Sequence, residues 1–299
     1  CAAIELAKSG IETHLFEKNE ALMLEATSVN QNRFHLGYHY PRSIATAKQS
    51  LEGIPSFMEY FSEALIPTKK NYYAIGRNGS KIGFEQYISF CKNLGLPYKE
   101  KYPSKYMLNR SRVSGCIATD ENIIDLSKMR NIAEKLLKET GVKVFLGNSF
   151  EKTERKDFQI IVNSTYSNLN RINKLLGLPT KVFRYDICNV PVLELSRTVS
   201  GVGITIMDGD FYSILPFGNT KYHLFWSVSG STIRSISILP PQEMGLKTAN
   251  YQDDTFIPLL KLARCVDVLR ITKILRPDVE LSDERVTDLI NYGNGYFAI

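Results

Sequence analysis

The stretch from Glu25 to Ser43, EATSVNQNRFHLGYHYPRS, gathers more groups able to do chemistry than any other part of the chain. It carries two of the four histidines, His35 and His39, together with Tyr38, Tyr40, Arg42 and the small polar set Thr27, Ser28 and Asn30. It lacks the 3.6-residue apolar stripe of a surface helix, so its side chains are spaced for a loop or a site. Arg42 has the planar fork that pairs with a carboxylate or a phosphate, and it also suits the exposed start of a helix. His35 reads either as a ligand contact or as a satisfied structural histidine. Signatures for nucleophilic, metal or paired-carboxylate catalysis are lacking: the sequence shows no Ser/His/Asp or Cys/His set and no C-x-x-C pair.

A second group points to a nucleotide. Residues 1–10, CAAIELAKSG, read as an amphipathic helix closed by glycine, and residues 11–18, IETHLFEK, as a strand with Glu17 at its carboxyl end. A helix closed by glycine and followed by an acidic strand end is the second half of a dinucleotide-binding βαβ unit. In such a unit the carboxylate accepts hydrogen bonds from ribose hydroxyls about 20 residues after a glycine-rich turn. The expected first strand and glycine turn would precede Cys1, so the chain reads as a fragment. Glu17 is equally an ordinary solvated carboxylate, and an acidic strand end also serves nucleoside-binding methyltransferases.

The small-residue turn Ala26-Thr27-Ser28, the Asn30 that follows it and the H-x-G-x-x-Y run His35, Gly37, Tyr40 resemble the flavin-contacting segment of FAD-dependent oxidoreductases of the D-amino-acid oxidase type. The likeness is closest to members related to glycine oxidase and 2-hydroxyglutarate oxidase. Residues 117–145, with IATDENIID followed by a helix and KVF, resemble the family's approach to the adenine. Residues 157–166, DFQIIVNSTY, resemble the strand and tight turn that meet the flavin again. There the family usually has a glycine or another small residue where this chain has Tyr166 or a neighbour. Residues 291–299 resemble the last strand before a carboxyl-terminal glycine turn. The resemblance implies FAD as cofactor, with Glu17, Lys18, Thr27, Ser28, Asn30, His35, Gly37, Ser164 and Thr165 along it. It further implies a small substrate held near His35, Arg42 and Tyr212. In some relatives a histidine near position 35 or 39 is joined covalently to the flavin; in others it packs beside the ring.

The chain has 299 residues, 43% of them hydrophobic, enough for one large domain or two intimate ones. Its net charge of +6 comes from lysines and arginines dispersed among acids, which matches no nucleic-acid module but favours an anionic substrate and the cofactor's phosphates. No apolar run approaches the roughly 18 residues of a membrane span. Five scattered cysteines argue against a disulfide framework and for a reducing compartment, hence a cytoplasmic enzyme.

The elements that must position these residues follow from periodicity. Helices are expected at 2–9, 43–62 with a break at Pro55, 83–94 and 126–140. Strands are expected at 70–75, 143–146, 158–163, 182–195, 203–207, 211–216 and 222–229. The expected fold is α/β: a Rossmann-like FAD-binding domain with a parallel sheet (1–65, 117–178 and 265–299), interleaved with a mainly antiparallel substrate domain (66–116 and 179–264). The strand around Leu15 should pair in parallel with that around Val144 or Ile161, because parallel partners need a crossover. The functional expectation is oxidation of the C–H beside an amine or hydroxyl of a small anionic compound, by hydride transfer to flavin. The other class left open is a nucleotide-binding protein without redox chemistry, a methyltransferase-like module or a degenerate flavoprotein scaffold.

Overall fold

The computed structural model describes residues 1–150, 152–195, 201–208, 211–227, 231–237, 239 and 257–275. In chain order the helices are α1 (Ala2–Lys8), α2 (Ala26–Val29), α3 (Ile44–Glu52), α4 (Ile54–Phe61), α5 (Phe84–Asn93), α6 (Leu126–Glu139) and α7 (Leu169–Leu176). The strands are β1 (His14–Phe16), β2 (Leu65–Ile66), β3 (Lys70–Gly76), β4 (Lys99–Glu100), β5 (Val113–Thr119), β6 (Ile123–Ile124), β7 (Lys143–Phe145), β8 (Phe183–Glu194), β9 (Val202–Met207), β10 (Tyr212–Pro216), β11 (Tyr222–Ser227), β12 (Ser231–Ser237) and β13 (Arg264–Leu275).

The long-range pairing expected from the βαβ reading is present. β1 and β7 run parallel, with Leu15 opposite Val144, although more than a hundred residues separate them. Around this pair α1 and α6 bury Ile4, Leu22, Leu137 and Val142. Asp125 caps α6 by accepting from the Lys128 N–H, which satisfies one of the helix's orphan donors. The helix expected over 43–62 is two helices meeting at Gly53, and Pro55 sits in the first turn of the second, where its missing N–H costs nothing.

The larger sheet is mainly antiparallel, in the order β12-β8-β11-β10-β9-β3-β5-β4, with β13 also along β8. β9, β10 and β11 form the expected meander, while β8 lies beyond β11. β3 joins β9 in parallel, so residues 70–76 and 202–207 sit side by side. Strand alternation gives this sheet two distinct faces. One carries Tyr72, Ala74, Ile204, Ile206, Tyr212, Ile214 and Phe225 into a large apolar cluster. The other carries Tyr73, Thr205 and Ser213, and it meets the segment that contains Arg33. On this second face Gly203 leaves room for its neighbours: a Cβ there would lie 2.4 Å from Asn71 Oδ1 and 2.6 Å from a Leu215 methyl.

Three expectations need correction or lie out of view. The strand expected at 158–163 does not form; the run pairs with no strand among the described residues, and Ile160 and Val162 are exposed. Its polar end turns into local bonding instead, the Asn163 amide donating to Leu169 O and Asn173 Oδ1 at 3.0 and 2.9 Å. Residues 265–275, expected in the parallel cofactor sheet, lie antiparallel along β8 as part of β13, because the long apolar edge of β8 offers a continuous ladder. The expected last strand at 291–299 falls outside the described residues.

Candidate functional site

Glu17 lies one residue past β1, and the parallel pairing extends through it. Its N–H donates to Phe145 O and its carbonyl accepts from Asn148 N–H, both at 2.9 Å. The half-buried carboxylate uses Oε1 to accept from the Asn19 backbone and side chain, each at 2.9 Å. Oε2 has no hydrogen-bond partner among the described residues. Lys18 turns the other way and pairs with Glu25 at 2.6 Å.

The chain then crosses to the large sheet. In α2, Ser28 Oγ donates back to Leu24 O and Glu25 O at 2.7 and 2.8 Å, so its hydroxyl is used locally. Ala26 and Val29, flanking Thr27 and Ser28, pack against Cys188, Val190, Val192 and Leu224. Asn30 Oδ1 accepts from Asn32 N–H at 2.7 Å, and Asn32 takes a positive φ of 52° that turns the backbone. Asn is among the few side chains that tolerate this region.

The turn delivers Arg33 into the interior. Its guanidinium donates to Glu121 Oε2 at 2.8 Å, to Thr205 Oγ1 at 2.6 Å, to Ser213 Oγ at 3.4 Å and to the Tyr73 hydroxyl. The side chains of Arg33 and Glu121 are 1% and 0% exposed. Burial pushes the Tyr73 phenol well above its ordinary value, so it stays a donor to Glu121 Oε2. The other oxygen, Glu121 Oε1, accepts from Leu36 N–H at 2.9 Å. One carboxylate thus fixes both the side chain of residue 33 and the backbone of residue 36.

His35 sits between those anchors. Its Nδ1 is buried without a hydrogen-bond partner among the described residues. Burial, helped by the Arg33 cation, lowers its pKa to about 3, so the ring is neutral at physiological pH. Gly37 takes a φ of +95° and packs on α3, where a Cβ would meet Ala47 at 3.4–3.5 Å. The ring of His35 lies 5.3 Å from His39 and 5.4 Å from Tyr40, and His39 lies 5.0 Å from Phe211. Arg42 Nε meets Asp208 Oδ1 at 2.8 Å. Asp208 is fixed in turn by Ser80 Oγ and Ile82 N–H, at 2.9 and 2.8 Å.

The structure therefore links the His35 ring to Phe211 through His39, while Arg42 is tied to Asp208. It does not bring Tyr212 there. Tyr212 alternates onto the opposite face, buried over Phe225 at 6.4 Å in the apolar cluster. Ser164 and Thr165 lie in an exposed turn where Asn163 Oδ1 accepts from Thr165 N–H and Oγ1 at 3.3 and 2.7 Å. Tyr166, at the position where a glycine was expected, takes a φ of +47°, the conformation a glycine adopts freely. Arg33, Tyr73 and Glu121 escaped the sequence reading as site residues. The available signal was that Arg33 is the only Lys, Arg, Asp or Glu between Glu25 and Arg42.

The chain's fold superposes on those of solved structures. Glycine oxidase from Geobacillus kaustophilus superposes with a TM-score of 0.63 over 92% of this chain and 80% of its own, at 12% identity. L-proline dehydrogenase from P. horikoshii gives 0.62 over 95% and 82%, at 16% identity. NikD, described as an unusual amino acid oxidase, gives 0.65 over 92% and 79%, at 11% identity. The fold is that of the FAD-dependent oxidoreductases of the D-amino-acid oxidase type. In sequence, the chain is 32% identical over 145 residues to the FAD-dependent monooxygenase FPY4 of Fusarium mangiferae, covering 48% of this chain and 39% of that protein. It is 25% identical over 240 residues to the FAD-dependent monooxygenase kojA of Aspergillus flavus, covering 73% and 56%. The matches thus span about two-fifths to just over half the length of these curated relatives. No family model matches the chain. Among the described residues there is no helix long and apolar enough to cross a membrane, and no cluster that could hold a metal ion.

Proposed function

We propose that this chain belongs to an FAD-dependent oxidoreductase that oxidises the C–H beside an amine or hydroxyl of a small anionic substrate. The observation that carries the reading is the pairing of β1 with β7, which sets Glu17 at the carboxyl end of a parallel strand with one carboxylate oxygen unused. That is where a dinucleotide fold receives the ribose hydroxyls. A second group fits the same cofactor: His35 Nδ1, buried without a partner beside the turn at Gly37. The curated relatives are named FAD-dependent monooxygenases and the solved structures an oxidase, a dehydrogenase and an amino acid oxidase, which supports the choice over a nucleotide-binding scaffold.

When bound, FAD supplies the electron acceptor for the substrate's hydride. The chain's own residues do the rest. Glu17 accepts hydrogen bonds at the adenosine end. The neutral ring of His35 offers a hydrogen bond without adding charge, and α2 and the sheet face beneath it exclude water. Arg42, aimed by Asp208, holds the anionic end of the substrate. Orientation of this kind is worth much of the barrier, since the reacting C–H must be held at about 3–3.5 Å.

Three measurements check the assignment. The purified full-length protein should be yellow and absorb near 450 nm, a property of oxidised flavin. Glu17→Ala should then weaken FAD by about tenfold to a hundredfold, the worth of hydrogen bonds to a charged acceptor. Unchanged affinity on titrating the apoprotein would remove Glu17 from the site. Arg42→Lys should lower kcat/KM by about tenfold or more while leaving the flavin spectrum intact, because lysine cannot serve Asp208 and a substrate carboxylate with one planar fork. Normal turnover in that variant would end its role.

A further inference from the structure

The Arg33–Glu121 pair lies where the segment bearing His35 crosses the large sheet, and no step proposed above uses it. Its geometry is unusual for a merely structural ion pair. Glu121 Oε1 holds the backbone of Leu36, and Oε2 holds the side chain of Arg33, so the two bonds bracket His35. The same stretch is held again by Phe34 N–H donating to Asn122 O at 3.0 Å and Ile124 N–H donating to Asn32 O at 2.7 Å. Arg33 reaches onward to Tyr73, Thr205 and Ser213, one group from each of three adjacent strands. Both charges are withdrawn from solvent, where neither water nor salt screens them effectively.

We infer that Arg33 and Glu121 are positioning residues that fix His35 against the cofactor and that, by balancing each other's charge, they keep a lone buried charge from shifting the cofactor's reduction potential. The inference rests on the flavin reading above. The charges cancel while both are present. Removing one leaves a full buried charge beside the His35 segment. Reduction places added negative charge on a flavin, so an uncompensated cation favours the reduced form and an uncompensated anion opposes it. The depressed basicity of His35 fits this picture, since the Arg33 cation contributes to it.

The test compares flavin potentials of the purified holoenzyme by dye-coupled reductive titration. Glu121→Gln should raise the potential and Arg33→Met should lower it, each by about tenfold or more in the reduced-to-oxidised affinity ratio, roughly 30 mV for a two-electron couple. The double variant should return close to the parent. Shifts of both single variants in one direction, or no shift in either, would overturn the inference, because loosened packing alone cannot give opposite signs. If a single variant does not fold, the double variant decides. As Arg33→Met/Glu121→Leu, which keeps neither the guanidinium nor an acceptor for Leu36 N–H, it should keep a near-parental potential yet lose intensity in the flavin's visible circular dichroism, since both anchors of His35 are gone; a parental spectrum would defeat the positioning role. A parent protein that binds no flavin would instead defeat the functional reading itself.

Discussion

Glu121→Ala is expected to destabilise the fold by about 3–5 kcal/mol, the range for breaking a buried ion pair from one side. The loss is large because one carboxylate serves three donors: Arg33, Tyr73 and Leu36 N–H. Its removal strands a guanidinium whose side chain is 1% exposed, and such a group cannot escape by losing its proton. Arg33→Met should cost somewhat less, since it leaves the buried carboxylate without its cation but still accepting from Tyr73 and Leu36 N–H, and leaves the Thr205 and Ser213 hydroxyls bonded to each other at 3.0 Å. Arg33→Met/Glu121→Leu should cost clearly less than the sum, because replacing both charges by apolar groups removes the desolvation penalty together with the bond. Urea denaturation of the parent, Arg33→Met, Glu121→Leu and the double variant checks this as a double-mutant cycle. Additive losses would show that the two side chains act independently, contrary to their 2.8 Å contact.

The same pair shows why part of the site was legible in the sequence and part was not. Glu17 announced itself because it ends a strand after a helix closed by glycine, a pattern wholly contained in neighbouring residues. The parallel partner of β1 was narrowed to the strand around Val144 or Ile161, since parallel pairing demands a crossover, and it is the one at 143–145, after the amphipathic helix α6, that pairs. The Arg33–Glu121 contact joins residues 88 apart through two separate loops, and nothing local in either loop specifies the other. Tyr212 failed for a different reason. Its position just after a turn suggested a site wall, but which face of β10 is apolar depends on register with β9 and β11. With Tyr212 opposite Ile206, Ser213 is the residue that faces Arg33. A one-residue difference in register exchanges the two faces, so the sequence of the strand alone does not decide between them. The unmade strand at 158–163 has a comparable cause: alternating apolar residues need a neighbour to pair with, and local bonds from Asn163 win where none lies alongside.

The acid stability of the apoprotein should depend on His35 with a definite sign. Burial and the neighbouring Arg33 lower the folded-state pKa to about 3 from the ordinary 6.5. Between those values the unfolded chain binds a proton that the folded ring refuses, so protons favour unfolding. The contribution of His35 is therefore fully present above about pH 6.5 and is lost as pH falls, at about 1.4 kcal/mol per pH unit. From pH 6.5 to pH 5 the loss comes to roughly 2 kcal/mol. His35→Gln keeps a polar side chain of similar length without a titrating ring, so its stability should fall less steeply over that interval by about this amount. The difference between the two proteins isolates His35 from His14, His39 and His223, which both retain. Urea denaturation at pH 7, 6 and 5 reads the slopes directly, and parallel slopes would mean that His35 protonates in the folded state. The functional consequence has the same origin. A ring that stays neutral to about pH 3 presents no imidazolium to the cofactor, so substrate oxidation should show no ionisation from His35 between pH 5 and 8.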